Sequence, residues 1–238
     1  MTDVRRTVLA VAAGFAAGAV PVSNLMARWR AGVDLRTVGT GTVSGTALSQ
    51  VAGTGPLVVA GLFELAKGAL GPALAGPSHP LAAALAGGAA VAGHDWSPAL
   101  GGAGGRGISP AMGALLVSAP TGSLVLLAGL AGGRLAGETA LGSIVADVVL
   151  VPVVARAHGR PGLLAACAVL APMLLKRLTG NGPPSRPGRA VYMYRLLFDR
   201  ETREKPPQMA LAPAHLPALG SGGGSTGAGE GRAGAGGH

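Results

Sequence analysis

Apolar runs follow one another from Val8 to Leu175, and nearly every one is closed by a basic residue, a histidine or a glycine-rich polar stretch. Inside hydrocarbon, backbone N–H and C=O groups have no water to bond, so only helices or closed barrels satisfy them. The runs lack the period-2 alternation of barrel strands and are built from Ala, Leu, Val and Gly. Charged residues make up 12% of the chain, against ~25% in a soluble domain. With 49% hydrophobic residues and a mean hydropathy of +0.47, the pattern predicts an all-α, polytopic integral membrane helix bundle. The runs are Val8–Ala27, Gly55–Leu70, Leu81–Ala92, Met112–Ala119, Ser123–Gly132, Gly142–Ala155 and Gly162–Leu175, giving about seven transmembrane helices. The runs flanking Pro120 are too short for straight spans and read as two short helices or one broken pair.

The first run follows Arg5-Arg6 without a small-x-small cleavage signal, so it reads as a retained helix rather than a signal peptide. Gly14 and Gly18 give it a G-x-x-x-G face for close approach of a neighbour, and Pro21 predicts a kink near its far end. The 42 glycines suit the same kind of packing. Cys167 stands alone inside an apolar run and forms no internal disulfide.

A net charge of +9 invites a nucleic-acid reading, but the basic residues are scattered at the ends of runs rather than gathered on one element, which argues against it. The same distribution is an orientation signal. With the N-terminus outside, the inner face collects Arg28, Arg30, Arg36, Arg106, Arg134, Lys176 and Arg177, against Arg5, Arg6, Arg156 and Arg160 outside. Residues 1–180 thus form the membrane-embedded domain, and 181–238 a cytoplasmic, basic and Gly-rich tail that is mostly disordered. Within the tail, Ala190–Arg203 reads as an interfacial helix or as a loose basic segment.

Two glycine-rich loops fall on the predicted inner face. One runs from Arg28 to Thr46, the other from Gly93 through His94 to Gly107. Glycines allow close backbone approach to an anion and an arginine adds a fixed cation. The second loop formally contains G-x-G-x-x-G at Gly102–Gly107, but a membrane helix precedes it where a dinucleotide fingerprint needs a strand. The phosphate-loop motif is missing, and the nucleophile-elbow motif is missing from residues 1–180. Glu64 and Lys67, three apart within a span, share a helix face. Each residue also has a structural reading: His94 as a helix-end cap, Glu64 with Lys67 as an ion pair, Ser143 as a small packing residue, and Arg36 and Arg106 as anchors.

The order of these motifs resembles the acyl-phosphate-dependent glycerol-3-phosphate acyltransferases of bacteria. Val33-Asp34-Leu35-Arg36 through Thr46 is similar to their D-I-R-x-x-G-S-G-N-x-G-A-T-N, and Glu64-Leu65-Ala66-Lys67-Gly68 to D-x-x-K-G. Gly93-His94-Asp95-Trp96 through Gly107 resembles G-H-x-(F/W)-P…F-K-G-G-K-G, and Leu141–Ala146 the motif around S-I-V. The chain departs from the pattern at Thr42 and Ala47, where the family has asparagines, and at Ala103 and Arg106, where it has lysines. Pro172–Lys176 lacks the polar residues of the family's E-N-I-x-R.

The resemblance implies transfer of a fatty acyl group from acyl phosphate to the 1-hydroxyl of glycerol 3-phosphate, at the cytoplasmic face of the bacterial cell membrane. Membrane lipids are the surroundings, and neither a cofactor, a metal nor nucleic acid is implied. It makes His94 and Ser143 the catalytic candidates. Arg36, Gly39, Thr40, Gly41, Thr46, Glu64, Lys67, Gly104, Gly105, Arg106 and Gly107 are the substrate-binding candidates. The departures motivate one alternative, a non-catalytic membrane carrier or lipid- and phosphate-binding relative with the same fold.

Overall fold

The computed structural model describes residues 3–184 and 188–202, and among them the secondary structure is entirely helical. The elements are α1 (Asp3–Ala19), α2 (Val22–Ala31), α3 (Gly45–Ala52), α4 (Thr54–Ala75), α5 (Pro80–Asp95), α6 (Ile108–Ser118), α7 (Pro120–Leu135), α8 (Thr139–Thr179) and α9 (Arg189–Phe198). The Gly-rich tail beyond residue 202 lies outside the described residues.

The chain runs up and down between two ends, which explains how short apolar runs behave. α8 breaks at Gly159, whose φ of 61° and ψ of −146° is open to glycine alone. A straight helix would hold residues 147 and 177 about 45 Å apart. Instead Arg177 Nε lies 3.9 Å from Asp147 Oδ2, so α8 is a hairpin with arms 139–158 and 160–179. Each arm is long enough, at ~30 Å, to cross a bilayer core. Pro161 opens the second arm where its missing N–H costs nothing. α6 and α7 reverse in the same way at Ala119 and Pro120, and Ser123 Oγ reaches back to donate to the Met112 carbonyl at 2.6 Å. The short runs around Pro120 are therefore two short antiparallel helices.

Small residues let these helices touch backbone to backbone. A Cβ on Gly14 or Gly18 would run into the carbonyls of Ala86 and Ala90 on α5, and one on Gly68 into Pro110 on α6. The buried core is correspondingly rich in alanine, while large apolar side chains point outward: Val148 is 72% exposed and Leu62 63%. That inversion of a water-soluble protein suits a lipid surround. Three segments, Asp3–Ala31, Thr54–Ala75 and Thr139–Thr179, are long and apolar enough to cross a membrane.

At the kink before Pro21, α1 ends with unpaired carbonyls, as every helix does. Lys67 Nζ from α4 supplies the partners, donating to Gly18 at 2.9 Å and Val20 at 2.8 Å, and it pairs with Glu64 Oε2 at 2.6 Å. An ammonium has three donors and this one uses them all. Beneath the opposite loop, Arg177 ties the two α8 arms to α9 by donating to the Ala140 carbonyl at 3.4 Å and the Leu196 carbonyl at 3.2 Å.

Candidate functional site

One end of the bundle carries both glycine loops. The first loop is fixed at its start by Asn24, whose Oδ1 accepts from the Leu35 amide at 2.7 Å. Asp34 then caps the short turn Leu35–Thr37 and accepts from Arg28 and Arg36. The hydrogen bonds from the Arg36 guanidinium hold the Asp34 carboxyl well below the usual carboxylate range. Gly39 and Gly41 follow with φ of 55° and 71°, turning the chain back towards α3.

The second loop lies against the first. The Val43 amide donates to the Gly104 carbonyl at 3.1 Å. Asn181, just past the end of α8, joins the two: its Nδ2 donates to the Gly41 carbonyl at 2.8 Å and the Gly104 carbonyl at 3.0 Å. Its Oδ1 accepts from the Gly104 amide at 3.1 Å. Lys176 holds the loop from the same side, donating to the Gly102 carbonyl at 3.3 Å with its ammonium 5.1 Å from the Trp96 ring centre. The sequence alone puts Asn181 at the start of the tail and Lys176 among the basic residues of the inner face. The only sequence signal for Asn181 is a polar side chain next to the helix-ending Gly180.

These loops enclose a cavity of about 870 Å³, open to one side. Its wall includes Arg36, Gly39, Thr40, Gly41 and Arg106 from the sequence-based candidates, together with Gly101–Ala103, Asn181 and residues of the α9 segment. Arg106 is fixed on every edge, to Asp199 Oδ1 at 2.5 Å, to the Lys176 carbonyl at 3.2 Å and to Thr42 Oγ1 at 3.1 Å. Thr42 and Arg106, both departures from the family pattern, thus meet each other, and Thr40 Oγ1 lies 3.0 Å from Thr42 Oγ1.

The remaining candidates lie outside the wall. His94 Nδ1 is 3.0 Å from Glu64 Oε2, and Ser23 Oγ donates to Glu64 Oε1 at 3.3 Å. The other edge of the His94 ring lies flat against Gly105, leaving no room there for a side chain. Gly107, with φ of 70°, opens α6, and a Cβ on it would stand 3.1 Å from both oxygens of the fully buried Asp95. Ser143 is 1% exposed, bonded to Arg177 and donating to the Ala140 carbonyl at 3.0 Å. Thr46 is exposed on α3, away from the others. The structure therefore brings Arg36, Arg106, Thr40, Gly39 and Gly41 together with Gly101 and Gly102, leaves Gly104, Gly105 and Gly107 behind the wall with His94, Glu64 and Lys67, and leaves Ser143 in a separate buried cluster with Arg177 and Asp147.

Fold and site define an all-helical integral membrane protein with a cationic, glycine-lined cavity at one polar end, suited to a phosphate-bearing ligand. The family model for glycerol-3-phosphate acyltransferase matches residues 8–181. A glycerol-3-phosphate acyltransferase of Synechococcus sp. (strain CC9902) is 33% identical over 178 residues, covering 74% of this chain and 89% of that protein. Glycerol-3-phosphate acyltransferase 4 of Dehalococcoides mccartyi (strain CBDB1) is 35% identical over 119 residues, 49% of this chain and only 51% of that relative's length. The crystal structure of PlsY (YgiH), an integral membrane glycerol 3-phosphate acyltransferase in its glycerol 3-phosphate form, shares the fold at a TM-score of 0.64. That match has 24% identity and covers 76% of this chain and 96% of that one. The chain belongs to the glycerol-3-phosphate acyltransferase family.

Proposed function

We propose that this protein transfers a fatty acyl group from acyl phosphate to the 1-hydroxyl of glycerol 3-phosphate, releasing phosphate and giving lysophosphatidic acid. The observation that carries this reading is the meeting of Arg36, Arg106 and both glycine loops around one cavity at the polar end of a membrane bundle. Acyl phosphate is already activated, so alignment of two anions and stabilisation of the departing phosphate are what the protein must supply. The hydroxyl oxygen attacks the acyl carbonyl carbon, the bond from that carbon to the phosphate oxygen breaks, and the hydroxyl proton passes to the leaving phosphate. Arg36, Arg106, Thr40 and the backbone of Gly39–Gly41 are the groups placed to receive phosphate oxygens.

His94 and Ser143 act indirectly in this reading. His94, held by Glu64, supports the Gly104–Arg106 backbone from beneath, and Ser143 steadies Arg177 between the arms of α8. Lys67, Glu64, Gly105 and Gly107 keep the floor in shape, and Thr46, exposed on α3, takes no part in the cavity. The excess of basic residues at the cavity end, from Arg28 and Arg36 to Lys176, supports a cytoplasmic face at the bacterial cell membrane.

Purified full-length protein in detergent, given acyl phosphate and glycerol 3-phosphate, is expected to form lysophosphatidic acid and release phosphate in equal amounts. No product under conditions where the Synechococcus relative turns over would refute the assignment. Binding of glycerol 3-phosphate without turnover would instead support the non-catalytic carrier.

A further inference from the structure

The match to the family ends at residue 181, yet the cavity has a wall from beyond it. α9 is held on the polar end through Arg195, whose side chain is only 8% exposed. Arg195 donates to the carbonyls of Leu178 at 3.3 Å, Thr179 at 2.8 Å and Gly182 at 3.0 Å, and bonds Glu201. Immediately after α9, Asp199 takes a left-handed conformation with φ of 54°, the only non-glycine described residue with positive φ. That turn aims its carboxylate at Arg106 Nε, 2.5 Å away.

A carboxylate on a guanidinium edge makes the bond that a phosphate oxygen would make. Thr42 and the Lys176 carbonyl each take one N–H of the terminal nitrogens, so an anion that grips the Nε edge in the two-pronged way of a phosphate has to displace Asp199. We propose that Asp199 is an intramolecular competitor for the anion site, so that the α9 segment sets how much anionic substrate the protein needs. The proposal rests on the reading that Arg106 receives a substrate phosphate. Release requires movement only of the residues after α9, since Arg195 fastens the helix itself. Apparent affinity is the intrinsic affinity divided by the fraction of molecules with Arg106 uncovered.

The test compares the full chain with Asp199→Asn and Asp199→Gly, since Asn and Gly are the residues that best tolerate the left-handed turn and so preserve the end of α9. Steady-state kinetics and calorimetric binding of glycerol 3-phosphate and of inorganic phosphate are the readouts. Both variants are expected to lower the KM for one anionic substrate, or the Kd for phosphate, by about five-fold or more, with kcat unchanged. A raised KM or a lowered kcat would make Asp199 a positioning residue for Arg106 and overturn the proposal, as would affinities equal to wild type. Arg106→Ala separates the two levels. If it abolishes anion binding while the Asp199 variants change nothing, the competitor fails and the site reading stands. If Arg106→Ala leaves binding intact, both fall.

Discussion

Removing the side chain of Asn181 takes away three hydrogen bonds at once, those with the Gly41 carbonyl, the Gly104 carbonyl and the Gly104 amide. A neutral hydrogen bond contributes about 0.5–1.5 kcal/mol net. Asn181 is half-buried, so water re-solvates part of what Asn181→Ala exposes, and the loss should lie near ~2 kcal/mol. For a domain of this size that lowers Tm by about 4–8 °C. It should also raise the KM for glycerol 3-phosphate, because the loops carrying Arg36 and Arg106 are no longer fastened to each other. Asn181→Asp is the sharper test. It keeps the acceptor for the Gly104 amide but turns a carboxylate towards two carbonyl oxygens, so it should be worse than alanine. Thermal unfolding in detergent and initial rates at varied glycerol 3-phosphate check both. An Asp variant as stable as wild type, or an Ala variant with unchanged Tm and KM, would refute the account of Asn181 as a donor joining the loops.

At Gly105, alanine would place a methyl group against the His94 ring and 2.8 Å from the Val43 carbonyl, so Gly105→Ala should cost about 1–3 kcal/mol and displace His94 from Glu64, read as a lower Tm and a lower kcat/KM. Thr42→Asn alone crowds the guanidinium of Arg106 and should reduce activity several-fold, whereas Thr42→Asn combined with Arg106→Lys should recover part of it; additive losses in product-formation rates would show that the pair is not matched. The Asp34 carboxyl has a lowered folded-state pKa, so its stabilisation is fully present above the unfolded value of ~3.9 and disappears as pH falls through the folded one. Asp34→Asn should therefore melt below wild type at pH 7, and the gap should close progressively below about pH 4.

What the sequence makes legible is what depends on local chemistry. The G-x-x-x-G pair Gly14 and Gly18 predicts close packing, and both meet the α5 backbone. The basic residues at run ends predict one positively charged end, and the glycines at 39, 41 and 107 do take positive φ. The partners of buried charges were not legible, because pairing is decided by which helices meet. Lys67 reads as a partner of Glu64 on one helix face, and that pair forms, but its two bonds to the broken end of α1 follow from the α1–α4 contact. Ser143 belongs to a family motif, but the fold of α8 back on itself delivers Arg177 to it from thirty-four positions away. Asn181 and Asp199 carry no motif, and their contacts reach 140 and 93 positions back along the chain.

Those long-range contacts bear on what an arginine at position 106 does that a lysine would not. A lysine there would offer a point charge that can follow its ligand; a guanidinium has a fixed fork and needs partners on each edge to hold a useful direction. This chain supplies two such partners from separated segments, the hydroxyl of Thr42 and the carbonyl of Lys176, while the carboxylate of Asp199 covers the Nε edge. The first two are neutral acceptors and can remain when an anion arrives. The third is an anion itself and cannot share the same edge. On this proposal the carboxylate that covers Arg106 is the one an incoming anion displaces, which ties the affinity of the cavity to Asp199 and the short segment after α9 that carries it.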